Sequence, residues 1–222
     1  MIDKRMNSAD EAVEGIKDGA VVLVGGFGNS GEPMALLDAL AACKPCGLTI
    51  VSNNAGSGEQ GIGKLLSEGC VSHFICSFPR VTGSVAFEQL YDRGEIEMEM
   101  VPQGTLAERV RSAGAGIPGF YTRTSVGTPL AEGKEVREFD GEDYVFEHAI
   151  KGDVALVKAE RGDRWGNLTY AKSARNFNPV MAMGADLTIS QVDEMVELGD
   201  LDPEHVVTPG IFVDRVLLAE EG

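Results

Sequence analysis

Apolar positions along the chain fall into short blocks, each closed by glycine, proline or an asparagine pair. AVVLV (20–24), LTIVS (48–52), HFICSF (73–78), DVALVKA (153–159) and DLTIS (186–190) are β-branched and aliphatic runs that predict buried strands. IEMEMV (96–101) alternates with period two and predicts a half-buried strand. Between these blocks lie segments of helical pattern: one from Pro33 through Ala41 to a stop at Lys44-Pro45, then GIGKLLSEG, SVAFEQLYDRG, TLAERVRSAG, and a stretch from KSARNF to AMGA. Ser8 and Glu11 have the spacing of a capping box before AVEGI, and Thr105 and Glu108 repeat it at the fourth strand-to-helix turn. One helix between successive strands predicts right-handed β-α-β crossovers, hence an α/β fold: an open, mostly parallel sheet flanked by helices on both faces. Residues 114–133 read as a long loop, and KEVREF and YVFEHAI, joined through Asp140-Gly141, predict a small β-hairpin insertion. No repeat or linker interrupts the pattern, so residues 1–222 are expected to form a single domain.

In such a sheet ligands bind beyond the carboxyl ends of the strands. Four glycine-rich or polar loops are expected there: GGFGNSG, NNAGSGEQG, SFPRVTGS and PQGTL. Gly26, Gly28 and Gly31 satisfy the dinucleotide spacing G-x-G-x-x-G. That chemistry also needs an acid at the end of the second strand to hold the ribose hydroxyls, and the chain has Asn53 and Asn54 instead. A turn chosen for steric reasons alone competes with any binding role. The sequence contains no G-x-S-x-G elbow, no H-E-x-x-H and no phosphate loop ending in G-K-[ST], and its three histidines, at 73, 148 and 205, leave few members for a triad.

Composition narrows the partners. A net charge of −16, from 35 acidic and 19 basic residues, repels polyanions, so no nucleic-acid partner is expected. No apolar run approaches a membrane span and the start is polar, so the expectation is a cytoplasmic protein with no membrane partner. Cys43 and Cys46 have the C-x-x-C spacing, but Cys70 and Cys76 lie too far apart to complete a zinc site. The thiols are expected to be structural or incidental, with no metal.

The segment DGAVVLVGGFGNSGEP has a more specific spacing. Asp18, Gly19, Val22, Leu23, Val24, Gly25, Gly26, Phe27, Gly31 and Pro33 together match the signature of the alpha-type half of type I coenzyme A transferases. TIVSNNAG, VPQGTLAERVRSAGAGIPGFYT, GDRWGNLTYAKSARNFNP and LDPEHVVTPGIFV also resemble segments of that family, in order and over nearly the whole chain. The resemblance implies a CoA-transferase fold and an enzyme that moves coenzyme A from succinyl-CoA to a 3-oxo acid through a glutamyl-CoA thioester. The acceptor is expected to be 3-oxoadipate, with acetoacetate as the alternative. From another class, a non-catalytic nucleotide or sugar-phosphate module on the same fold is the competing reading. No permanently bound cofactor is implied, since coenzyme A thioesters are substrates.

The family's nucleophilic glutamate belongs to a beta-type subunit, so the resemblance implies that this chain is inactive alone and works in an α2β2 assembly. Glu59 is an imitation of that residue in the wrong segment. Gln103 matches the family glutamine whose amide steadies the oxyanion, with Gly104 beside it. Gly25, Gly26, Gly28 and Gly31 are expected to let the backbone approach the acyl thioester, with Phe27 shielding it from water. Asn53 and Asn54 are expected to orient a carboxylate, against an Asx-turn that merely closes the strand. Arg80 is expected to meet the second carboxylate of a diacid, against a surface ion pair.

Overall fold

The aliphatic runs are all strands in the computed structural model, which describes residues 2–56, 58, 60–80 and 84–219. In chain order the main elements are β1 (Arg5–Met6), α1 (Ala9–Val13), β2 (Val21–Val24), α2 (Met34–Cys43), β3 (Leu48–Asn54), α3 (Ile62–Ser67), β4 (Val71–Phe78), α4 (Val85–Asp92), β5 (Glu97–Met100) and α5 (Gln103–Gly114). They continue with β6 (Gly119–Thr122), β7 (Val136–Phe139), β8 (Glu142–His148), β9 (Gly152–Asp163), β10 (Leu168–Thr169), α6 (Asn178–Met183), β11 (Ala185–Val196) and β12 (Arg215–Leu218).

Among the described residues nine strands form one sheet in the order β1-β12-β11-β9-β2-β3-β4-β5, parallel throughout, with short β10 antiparallel on β9. Winding runs outward from β2 to β5, then returns to the other side of β2 with β9. The switch between β2 and β9 is therefore the crevice that an open sheet offers to a ligand. Two apolar layers cover the sheet, as strands buried on both faces require. On one face Leu36, Leu40, Ile62, Leu65 and Phe87 pack on Val22, Ile50 and Phe74; on the other Leu106, Val110 and Met181 pack on Leu23, Val51 and Ile75.

Local signals hold in some places and yield in others. The Glu11 amide donates to Ser8 Oγ at 3.1 Å, as the capping box predicts, but the Glu11 carboxylate accepts from Asn7. The fifth helix begins earlier than expected: Pro102 precedes its first turn, and Thr105, expected as the cap, is buried inside that turn. The expected hairpin is present as β7–β8, with φ of 52° at Asp140 and 78° at Gly141 across the D-G turn. Part of the expected loop 114–133 is the strand β6, which pairs with β8 to make a three-stranded antiparallel sheet. Buried charge ties that small sheet to the main one. Arg109 of α5 donates to Glu99 of β5 and to the His148 carbonyl, and it lies 3.9 Å from the buried Glu147 of β8, which also accepts from Lys134.

Candidate active site

The four loops singled out in the sequence follow β2, β3, β4 and β5, so the fold brings them to one edge of the sheet. Val81, Thr82, Gly83, Ser57 and Glu59 lie outside the described residues.

Strand alternation sends Val51 and Asn53 to the α5 face, while Ile50, Ser52 and Asn54 face the opposite layer. The two asparagines therefore have different partners. Asn54 Oδ1 accepts the Gly56 amide at 2.9 Å, an Asx-turn that closes the strand. Asn53 meets the helix: its Oδ1 accepts from Gln103 Nε2 at 2.7 Å. Gln103 is the first residue of α5 and is exposed, whereas Asn53 is buried. The bond orients both amides and leaves the Asn53 amide group and the second Gln103 N–H as donors at the strand ends. Gly104 has no neighbour within 4 Å on its side-chain side, so this flank is open.

The glycine loop is held from behind by residues the sequence analysis did not single out. Asn178, fully buried, accepts the Lys158 amide at 2.8 Å and donates to the Gly31 and Ala174 carbonyls at 2.9 and 3.0 Å. Asn176 accepts the Gly26 amide at 3.1 Å and donates to the Ser30 carbonyl at 2.9 Å. A side chain on Gly25 would stand 1.8 Å from Asn178 Oδ1, and one on Gly31, where φ is +73°, would stand 2.4 Å from the Ala174 carbonyl oxygen. The asparagine clasp thus gives these two glycines a packing reason, where the sequence led to the expectation of a ligand's close approach. At Gly28, φ is +60° and open space lies beyond. Phe27 and Ser30 exchange backbone hydrogen bonds around Gly28, which leaves the Phe27 ring half exposed at the tip of the turn.

Glu32 is the second omission. It is 6% exposed, and Oε1 accepts the Ile62 amide at 3.0 Å, joining the glycine loop to the loop after β3. A Cβ on Gly61 would come within 2.4 Å of the same oxygen. Burial raises the Glu32 pKa, opposed by the Ile62 hydrogen bond and reinforced by Asp38. Arg80 lies at the end of β4 and its Nε is 3.6 Å from Glu88 Oε1. Cys43 and Cys46 are exposed free thiols, Cys70 and Cys76 are buried, and no described group of three His, Cys, Asp or Glu side chains is arranged to hold a metal ion. No helix among the described residues is long and apolar enough to cross a membrane.

The strand ends thus carry a hydrogen-bonded amide pair between β3 and α5 and, after β2, a glycine turn clasped by Asn176 and Asn178. Comparison with known proteins shows the family. The sequence profile described as "Coenzyme A transferase" matches residues 6–219. The chain belongs to the coenzyme A transferase family. This transferase is 57% identical over 217 residues to one subunit of the 3-oxoadipate CoA-transferase of Pseudomonas putida, covering 98% of this chain and 94% of that one. It is 49% identical to one subunit of the probable succinyl-CoA:3-ketoacid coenzyme A transferase of Bacillus subtilis, covering 97% and 90% of the two chains. An acyl-CoA transferase of Escherichia coli O157:H7, solved as a thioester complex with CoA, superposes with a TM-score of 0.86 at 28% identity. That match covers 98% of this chain and 47% of the other, so the transferase spans about half of that enzyme's length. Glutaconate coenzyme A-transferase of Acidaminococcus fermentans shares the fold with a TM-score of 0.84 at 20% identity, covering 97% of this chain and 75% of that one.

Proposed function

We propose that this transferase is the alpha subunit of a cytoplasmic succinyl-CoA:3-oxoadipate CoA-transferase, working with a beta-type partner in an α2β2 assembly. The Gln103–Asn53 amide pair carries this reading, because transfer of a thioester needs donors already in place where charge develops. A glutamate carboxylate of the beta-type partner attacks the thioester carbonyl of succinyl-CoA, and the C–S bond breaks to release thiolate and leave a mixed anhydride. The thiolate then attacks the glutamyl carbonyl, forming the glutamyl-CoA thioester and expelling succinate. The incoming 3-oxo acid reverses both steps, so thioester bond energy is conserved and no ATP is consumed.

Every step passes through a tetrahedral oxyanion. Gln103 supplies one N–H to it, oriented by Asn53, and a preplaced donor of this kind contributes about 3 kcal/mol. Gly26 and Gly28 carry the backbone close to the acyl and pantetheine chain, and Phe27 keeps water from the anhydride. Gly25 and Gly31 act through the shape of the turn, Gly104 leaves the approach to Gln103 open, and Asn54 fixes the turn beside Asn53.

Acetoacetate is the second acceptor, since the relative in Bacillus subtilis is named for 3-ketoacids in general. The test is co-expression with a beta-type partner, with CoA transfer from succinyl-CoA to each acid measured on the purified complex. Transfer to 3-oxoadipate at the higher kcat/KM supports the proposal; transfer to neither acid overturns it.

A further inference from the structure

Glu32 stands between Gly31 and Pro33, two residues of the family signature, and is not itself part of that signature. Its carboxyl is nevertheless buried, and the charged group that acts on it, Asp38 of α2, has the same sign. Burying a carboxyl beside a like charge costs stability, and the compensation visible here is a single hydrogen bond.

That bond reaches the start of α3. The first amides of a helix have no partner inside it, and Gly61, which precedes α3, has no side chain to cap them. Glu32 caps the helix from across the fold, where Oε1 accepts the Ile62 amide at 3.0 Å. The fit is close: a Cβ on Gly61 would stand 2.4 Å from that oxygen and 2.9 Å from Met34 Sδ. Behind Glu32 lies the glycine turn, since a Cβ on Gly26 would touch Glu32 Cα at 3.4 Å. Ahead of it the contacts run on to the amide pair. A Cβ on Gly56 would stand 3.0 Å from the Gly63 amide nitrogen and 3.1 Å from Ile62 Cβ, so the loop after β3 lies on the first turn of α3. The Gly56 amide donates to Asn54 Oδ1 at 2.9 Å, and Asn53, the preceding residue, accepts from Gln103. Glu32 is the joint in this path that spans the two loops.

We propose that Glu32 is a positioning residue for the transfer reaction: its carboxyl braces the glycine turn against the start of α3 and, through Gly56 and Asn54, holds the end of β3 so that Asn53 keeps Gln103 aimed at the reacting oxygen. Glu32 acts through Asn53 and Gln103 and is assigned no contact with the substrate. What the brace needs is reach and an acceptor oxygen, not charge. Glutamine meets both needs, aspartate falls short by one methylene, and alanine lacks both. This rests on the transferase function proposed above and adds the residue that ties its two loops together.

The experiment measures kcat and KM of the co-expressed two-subunit enzyme with succinyl-CoA and 3-oxoadipate. Misplacing a catalytic group by about 1 Å costs up to about 100-fold in rate, so Glu32→Asp and Glu32→Ala should lower kcat about 10- to 100-fold, while Glu32→Gln stays within about threefold of wild type. The loss should fall on kcat more than on KM, as for an interaction realised in the transition state. Because Glu32 acts through Gln103, Glu32→Asp added to Gln103→Ala enzyme should lower kcat further by less than about threefold. A residue that merely stabilises the fold would leave kcat of the assembled Glu32→Asp enzyme unchanged, or would lower it equally with and without Gln103. Either result overturns the inference, as does a Glu32→Gln enzyme as slow as Glu32→Asp. Wild-type enzyme that transfers CoA to neither 3-oxoadipate nor acetoacetate would instead overturn the function itself.

Discussion

Gly25 and Asn178 test the claim that the glycine turn is shaped by the protein behind it. Asn178→Ala removes the acceptor of the Lys158 amide and the donor to the Gly31 and Ala174 carbonyls, all at a side chain with no exposure. A buried backbone group left without its partner costs about 1–3 kcal/mol. With two to three such groups, partly rescued by relaxation, the loss is about 4 kcal/mol. For a chain of this size each kcal/mol moves Tm by about 2–4 °C, so melting should fall by roughly 8–16 °C. Gly25→Ala reaches the same loss from the other side. Its methyl would stand 1.8 Å from Asn178 Oδ1 and 2.6 Å from Cγ, so the amide must leave. Once Asn178 is alanine, most of that clash is gone, and the double variant should be far more stable than the sum of the singles implies. Urea denaturation of the four proteins should give a coupling of about 2–3 kcal/mol. Additivity within about 0.5 kcal/mol would refute the clasp as the reason for Gly25.

Three further outcomes follow from the site. Gln103→Ala should lower kcat of the two-subunit enzyme by about 10²–10³-fold, while urea stability changes by about 1 kcal/mol or less, since only the Asn53 bond is lost. Glu32 binds its proton more tightly folded than unfolded, so wild-type stability should fall as pH rises out of the ordinary carboxylate range toward its raised pKa. Glu32→Gln keeps an acceptor for the Ile62 amide and should remove that slope; an identical slope in the variant would contradict the burial argument. In native protein at about pH 8, a thiol reagent should find two fast cysteines, Cys43 and Cys46, because Cys70 is buried and burial pushes the Cys76 thiol up to about 12. Three or more fast thiols would show that the β4 face is not closed.

The strands β2, β3, β4, β9 and β11 were legible because a parallel sheet buried on both faces writes continuous apolar runs, and the D-G hairpin because its turn needs positive φ at both central residues. What escaped depends on distant partners. The strands β1 and β10 have two residues each and exist only through their pairing with β12 and β9. The cap of the fifth helix was misread because Thr105, a good N-cap by type, is drawn into the interior, and the turn starts two residues earlier after Pro102. Gln103 and the asparagine pair stood out from the motif, but the different partners of Asn53 and Asn54 needed the pleat: adjacent residues face opposite layers. Asn176, Asn178 and Glu32 gave no local signal. The asparagines bond to a loop some 150 positions away, and Glu32, flanked by glycine and proline as a solvated turn residue would be, is buried by Gly61 and Ile62. The spacing of the glycine signature was readable; its reason lay in Asn178.

The proposed function rests on a division of labour in which this chain supplies the oxyanion amides while a beta-type partner supplies the attacking carboxylate. Mass spectrometry after incubation with succinyl-CoA and borohydride reduction of the enzyme thioester tests it directly, on the chain alone and on the two-subunit enzyme. The expected result is no modification and no transfer by the chain alone, and a reduced glutamyl thioester on the partner's peptide in the complex. A modified glutamate in this chain, or CoA exchange by the chain alone, would contradict it.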